Sequence, residues 1–320
     1  MANDRTNTLC VLQVLKDYTD ADHILPLSEI QRHLKLEYDK DLDRRTLYAA
    51  FRALNDFGIE VSRYEDNGKG YYLLEREFSA AEARLLIDAI YSCEYISKRQ
   101  TEELISKLRA QLSVYDRKKY NYSNIIVGER KSPNPQVFLN IEILDQAIDE
   151  KKKVSFIYLD YGYDKKLHPR REERYVASPY SMICDSERYY LVMIADGHED
   201  PSFYRIDMMK DIEILDEKIA ISKREAKLNS AAKVIYAHAG EPETIVLRCK
   251  KAALRYVIER FGSDVNIEPH RDDDGFDATF RAAPEGLRYW ALQYLQSVEV
   301  IRPEYVREEL KKAVAESPYR

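Results

Sequence analysis

Between Asp43 and Gly58, Arg45, Tyr48, Ala49 and Arg52 recur at three- and four-residue intervals. On a helix they share one face, opposite Leu47, Ala50, Phe51 and Leu54. A helix fits the DNA major groove. Arginine can pair there with both acceptors of guanine, and an aromatic or apolar group can pack on a thymine methyl. Arg45, Tyr48 and Arg52 are therefore candidate contacts to base edges or phosphates. Arg44 and Thr46, in the first turn, are placed for phosphate, where a helix N-terminus favours negative charge. Arg32 and Lys35 upstream, and Arg63 and Lys69 downstream, are candidate backbone contacts. The plainer reading is a solvated amphipathic helix in a protein-binding module. Asp39, Asp41, Asp43 and Asp56 lie close by and lower nonspecific affinity for a polyanion.

A second chemical cluster spans 151–218. Lys151, Lys152, Lys153, Lys165, Lys166, His168, Arg170, Arg171 and Arg174 are interleaved with Tyr158, Tyr161, Tyr163, Tyr175 and Tyr180, and Arg188, Tyr189, Tyr190 and Arg205 follow. Aromatic faces stack bases and cations hold phosphates, so the combination suits a nucleotide or a short single strand. Each member has a structural alternative. Alternate side chains of a strand such as YYLVMIA enter a core, and a run such as KKLHPRREER solvates a turn.

Enzymatic signatures are missing. The chain has no GxxxxGK[ST], GxGxxG, HExxH or GxSxG, and its six histidines have no motif spacing to a Cys or Asp. Four separated cysteines without a CxxC pair argue against structural zinc, and they read as reduced thiols. We expect no catalytic residues, no metal and no cofactor. A nucleic-acid enzyme targeted by a DNA-binding domain is the disfavoured alternative. The net charge of −6 gives no global sign of a nucleic-acid partner, so the case for one is local. No apolar run has the length of a signal peptide or a membrane span, which predicts a cytoplasmic protein.

These groups need elements to hold them. With 320 residues and 45% hydrophobic residues, the expectation is an α+β multidomain chain. One helix is predicted over 7–18 and a second from Ser28, with Gln31 as its capping-box partner. The third is capped by Asp43 and ended by Gly58. Strands Ile59–Tyr64 and Tyr71–Leu74 around GKG complete a winged helix-turn-helix over 1–77. Helices with stripes Leu85, Leu86, Ala89, Ile90, Cys93, Ile96 and Leu104, Ile105, Leu108, Leu112 fill 78–150 as a linker or dimer interface. That region closes with a short helix placing Leu139, Ile143, Leu144 and Ile148 inward. Residues 151–218 read as a small β-barrel and 219–243 as a connecting helix centred on Lys223–His238. Residues 244–320 read β-α-β-β-α-β, the ferredoxin-like order.

The stretch from Ser178 to Ile212 resembles the WYL-domain family of bacterial transcription regulators. Tyr189-Tyr190-Leu191 stands for the namesake tripeptide, with Tyr in place of Trp. Ser178-Pro179-Tyr180 precedes it and Tyr204-Arg205-Ile206-Asp207 follows. Met208 replaces the Arg common after that Asp, and Gln296 stands where Gly is common in the C-terminal extension domain. The resemblance implies a homodimer on palindromic, double-stranded operator DNA. It also implies an Sm-like barrel that senses a nucleotide or short single-stranded nucleic acid. By position, the implied sensor residues are Tyr158, Ser178, Tyr190 and Arg205, with Arg174 and Arg188 beside them. A repressor is the expected sign. Activation, or a barrel that docks protein or its own domains, is the alternative.

Overall fold

The computed structural model describes residues 6–119, 131–185, 188–198, 201–219, 242–271 and 274–318. The connecting helix expected at Lys223–His238 lies outside them. The chain divides into two compact units, 1–133 and 134–320.

The first unit opens with α1 (Asn7–Tyr18), α2 (Leu27–Tyr38) and α3 (Arg44–Asp56). Leu47, Ala50, Phe51 and Leu54 of α3 are buried against Val11, Val14 and Leu15 of α1 and Ile30 and Leu34 of α2. Each such apolar side chain contributes roughly 1.5–3 kcal/mol when fully buried, enough to fix which face of α3 turns outward. Asp43 caps α3 by accepting from the Thr46 N–H at 2.7 Å. The second helix departs from expectation. It begins at Leu27 after Pro26, which presets the entry dihedral, so Ser28 is inside the helix. Gln31 is thereby freed from a cap, and it donates to the Leu42 carbonyl at 2.7 Å, bracing the turn into α3.

The hairpin expected over 59–74 is shorter than the sequence suggests. Val61 pairs with Leu73 and Leu25 with Tyr71, while Tyr64–Asn67 forms a helical turn, α4, instead of an open hairpin tip. Local polar groups compete for the backbone here. Asp66 accepts from the Arg63 N–H at 3.1 Å, and the Asn67 carbonyl oxygen of the side chain accepts from the Lys69 and Gly70 N–H groups.

Helices α5 (Ala80–Ser92), α6 (Lys98–Arg109) and α7 (Val114–Lys119) follow. The buried positions of α5 are Ala83 and Ile87, while Leu85, Leu86 and Ala89 of the expected stripe are exposed. Apolar residues surround this helix, so periodicity could not choose the face that packs on α6. Polar and aromatic ties join α7 and the residue before it to α1 and the turn that follows α1. Arg117 pairs with Asp17 at 2.6 Å, the Ser113 hydroxyl donates to Asp20 at 2.7 Å, and Tyr115 stacks on His23 with ring centroids 3.6 Å apart. Arg76 donates to the carbonyls of Lys16, Thr19 and Gln111.

The second unit contains two sheets. Its first helix, α8 (Val137–Asp149), buries Val137, Asn140, Leu144 and Ala147, whereas Leu139, expected inward, is exposed. The inward place goes to Asn140 because the carbonyls of a turn require its amide. Strands β1 (Lys152–Tyr161), β2 (Leu167–Pro169), β3 (Tyr175–Asp185), β4 (Arg188–Ala195), β5 (Ser202–Arg205) and β6 (Met209–Lys218) form one antiparallel sheet. Its pairing runs β6-β1-β3-β4-β5, and β2 pairs with the end of β1. A 3-10 turn, Ile206–Met208, joins β5 to β6. Phe156, Leu191, Met193, Ile206 and Met209 pack with Leu144 and Ala147 in the core.

The last sheet comprises β7 (Glu243–Lys250), β8 (Asn266–Pro269), β9 (Gly275–Ala282) and β10 (Val298–Arg302). Its antiparallel order is β10-β7-β9-β8. Helices α9 (Leu254–Phe261), α10 (Leu287–Gln293) and α11 (Glu304–Ala315) contribute Val257, Leu287, Trp290, Val306 and Leu310 to its core.

Candidate functional site

In the first unit the outward face of α3 carries Arg44, Arg45, Tyr48, Ala49 and Arg52, all exposed, with Thr46 half-buried in the first turn. The capped N-terminus leaves Arg44 and Arg45 beside the positive end of the helix dipole. Arg32 is exposed on α2 but ion-paired with Glu29 at 2.7 Å. Arg63, just before α4, and Lys69, just after its Gly68 cap, are exposed. The arrangement presents cations and one aromatic on a helix held from behind by a closed apolar core.

In the second unit the sequence candidates separate. Tyr158, Tyr190, Arg205 and Arg188 come to one corner. The Tyr158 hydroxyl accepts from the Arg205 N–H at 3.3 Å, and Tyr190 lies opposite Arg205 in the β4–β5 register. Arg188 starts β4 opposite Asp185 of β3. Ser178 lies farther along β3, opposite Ile194. Arg174 is at another edge, where it bonds the Ser155 hydroxyl and the Asp211 carbonyl and pairs with Glu213 at 3.4 Å, stapling β1 to β6.

Tyr158 also packs inward. It is 8% exposed, with Tyr204 edge-on at 4.6 Å, inside a cluster with Phe156 and Tyr175. Burial pushes its hydroxyl up to about 12, partly offset by the positive charges of Arg170 and Arg205. It is therefore a neutral phenol at physiological pH. Arg205 is gripped by buried Asp207 through two bonds, at 3.1 and 2.7 Å. Burial opposes its charge, but Asp207 holds its pKa above the ordinary value.

Two cations of the basic cluster that were not singled out as sensor residues meet its aromatics: Arg170 lies over the Tyr158 ring at 5.0 Å while paired with Asp160 at 3.0 Å, and Arg171 lies over Tyr175 at 3.7 Å. Two residues escaped the sequence reading. Asn134 and Asn140, buried, hold the turn that presents Arg205 and Asp207. Asn134 donates to the carbonyls of Asp207 and Met209, and Asn140 to those of Ile206 and Met209. For Asn140 the signal available was polarity inside the apolar run VFLNIEIL; Asn134, in the run KSPNPQ, gave none. Met208 sits in the core. Among the described residues no group of three or more His, Cys, Asp or Glu could hold a metal ion. No described helix is long and apolar enough to cross a membrane.

The model of the WYL domain matches residues 140–214, and that of the WCX domain matches residues 241–317. The chain is a WYL-domain protein with a WCX domain. It is 23% identical over 332 aligned positions to YobV of Bacillus subtilis strain 168, named an uncharacterized HTH-type transcriptional regulator. The alignment covers 98% of this chain and 97% of the relative. Among solved structures, proteasome accessory factor B/C of Arthrobacter aurescens aligns over 95% of this chain at 17% identity and a TM-score of 0.27, and this chain spans 45% of its length. A CRISPR Cas-related protein aligns at 14% identity and a TM-score of 0.39, over 96% of this chain and 82% of that one. The WYL match begins at Asn140, so it takes in most of α8, consistent with the packing of that helix into the WYL core.

Proposed function

We propose that this WYL-domain protein is a homodimeric DNA-binding transcriptional regulator of the cytoplasm, acting as a repressor. On this reading the first three helices and the wing are a winged helix-turn-helix, the six-stranded sheet is an Sm-like barrel that senses a nucleotide or short single strand, and the last sheet is ferredoxin-like. The observation that carries the reading is the outward face of α3, with Arg45, Tyr48 and Arg52 exposed over a buried apolar back. The relative named as an HTH-type regulator supports it. Selection of duplexes from random sequence tests it, followed by titration with Arg45→Ala and Arg52→Ala. Each variant is expected to weaken binding to the selected duplex. A lost phosphate contact would also reduce the salt slope by about one. Both variants binding like wild type would remove α3 from the reading.

The internal pairing of the sensor cations favours a second reading, in which the WYL domain docks protein or another part of its own chain. Arg205 is already neutralised by Asp207, Arg170 by Asp160 and Arg174 by Glu213. Melting the protein with nucleotides and short oligonucleotides separates the two, because a bound effector raises the midpoint with concentration.

A further inference from the structure

Tyr48 projects outward from α3, yet its ring is fixed. It is edge-on to Phe51, with centroids 6.3 Å apart, and to Tyr71, at 6.2 Å. The Tyr71 hydroxyl donates to the Tyr48 oxygen at 3.3 Å. Tyr71 belongs to the wing, is 7% exposed, and lies against Phe51 at 4.7 Å. Its backbone exchanges two hydrogen bonds with Leu25, at 3.1 and 2.8 Å. The preceding Gly70 allows that approach, since a Cβ there would meet the Leu25 carbonyl oxygen at 2.2 Å.

A buried phenol keeps its proton and must give it to an acceptor. Burial, and then the bond to Tyr48, raise the Tyr71 pKa, so the proton stays on Tyr71. The acceptor is the Tyr48 oxygen, which leaves the Tyr48 O–H to donate outward. We propose that Tyr71 is a positioning residue that fixes Tyr48 as an outward-facing donor, so that Tyr48 reads a hydrogen-bond acceptor on the major-groove edge. Such acceptors are N7 or O6 of guanine, N7 of adenine and O4 of thymine; the amino groups of cytosine and adenine are disfavoured, because Tyr71 already occupies an acceptor position of the Tyr48 oxygen. Tyr71 itself touches no base. The wing thus sets the polarity of a contact made by the helix. The inference rests on α3 being the DNA reader.

The test compares wild type, Tyr48→Phe, Tyr71→Phe and the double variant on the duplex that wild type selects. Each single change is expected to weaken binding about fivefold, the loss of roughly one neutral hydrogen bond. The double variant should lose no more than either alone, because the hydroxyls act as a pair. Tyr71→Phe binding like wild type, or losses that multiply, would overturn the proposal. A readout without DNA accompanies it: the ring-carbon NMR signal of Tyr48 should move in Tyr71→Phe, and an unmoved signal also overturns it. If wild type selects no duplex while that signal moves, the DNA-reader reading has failed and the hydroxyl pair stands without a reading role.

Discussion

Asn134 and Asn140 offer a quantitative test of how the WYL domain presents Arg205. Each side-chain amide donates to two carbonyls of the 206–209 turn, and both donate to Met209 at 2.8 Å. The other bonds go to Asp207 at 2.9 Å and Ile206 at 3.2 Å. Asn134 is 5% and Asn140 1% exposed, so water does not readily replace either. A net hydrogen bond contributes about 1 kcal/mol, and a stranded buried carbonyl costs about 1–3 kcal/mol. Asn140→Ala loses two bonds, although the Ile206 carbonyl keeps the Met209 N–H as a donor, giving an expected cost of about 1–3 kcal/mol. Asn134→Ala likewise loses two bonds, to the Asp207 and Met209 carbonyls, at similar cost. In either single variant the Met209 carbonyl still has one side-chain amide donor; in the double variant it has neither. The double should therefore exceed the sum of the singles by about 1 kcal/mol. Urea unfolding followed by near-ultraviolet dichroism of the Phe156–Tyr158–Tyr175–Tyr204 cluster is the suitable assay, since Trp290 reports on the WCX core. Costs that simply add would refute the sharing of Met209. Single costs below about 0.5 kcal/mol would refute the structural role altogether.

Two further outcomes follow from the first unit. Burial raises the pKa of the Asp20 carboxyl, but hydrogen bonds from Ser113 and His23 outweigh this and bring it below the ordinary 3.8. A depressed carboxyl stabilises the fold above its unfolded pKa, and that stability is lost as pH falls through the folded value. Asp20→Asn should therefore flatten the acid side of the urea-midpoint profile below about pH 4, and an unchanged profile would remove Asp20 from the tie between α1 and α7. On α5, Ile87→Ala should cost about 2–5 kcal/mol while Leu85→Ala stays within about 0.5 kcal/mol, because Ile87 is fully buried and Leu85 is 71% exposed. Thermal melts that reverse this order would place the inner face of α5 on the other side.

The sequence by itself determined the elements whose local and periodic signals agree. In α3 the Asp43 cap, the Leu47–Ala50–Phe51–Leu54 stripe and the opposing Arg45–Tyr48–Arg52 face all name one orientation, and that orientation is the one observed. The β-α-β-β-α-β order of the C-terminal region was equally legible, because strands and helices alternate there between clear turn residues. Tertiary structure alone decided the rest. Helix α5 carries apolar residues nearly all round, and α8 holds a polar Asn140 within its apolar arc, so their inner faces were chosen by their neighbours: Ile87 over Leu85, and Asn140 over Leu139. The fates of the cations were also non-local. Arg45 and Arg174 are the same residue type in basic stretches, but one meets solvent and the other meets Ser155, Asp211 and Glu213 across two strands. A side chain's type fixes which partners it can accept; the distance in space to those partners, which the chain sets only by folding, fixes whether it remains available to another molecule.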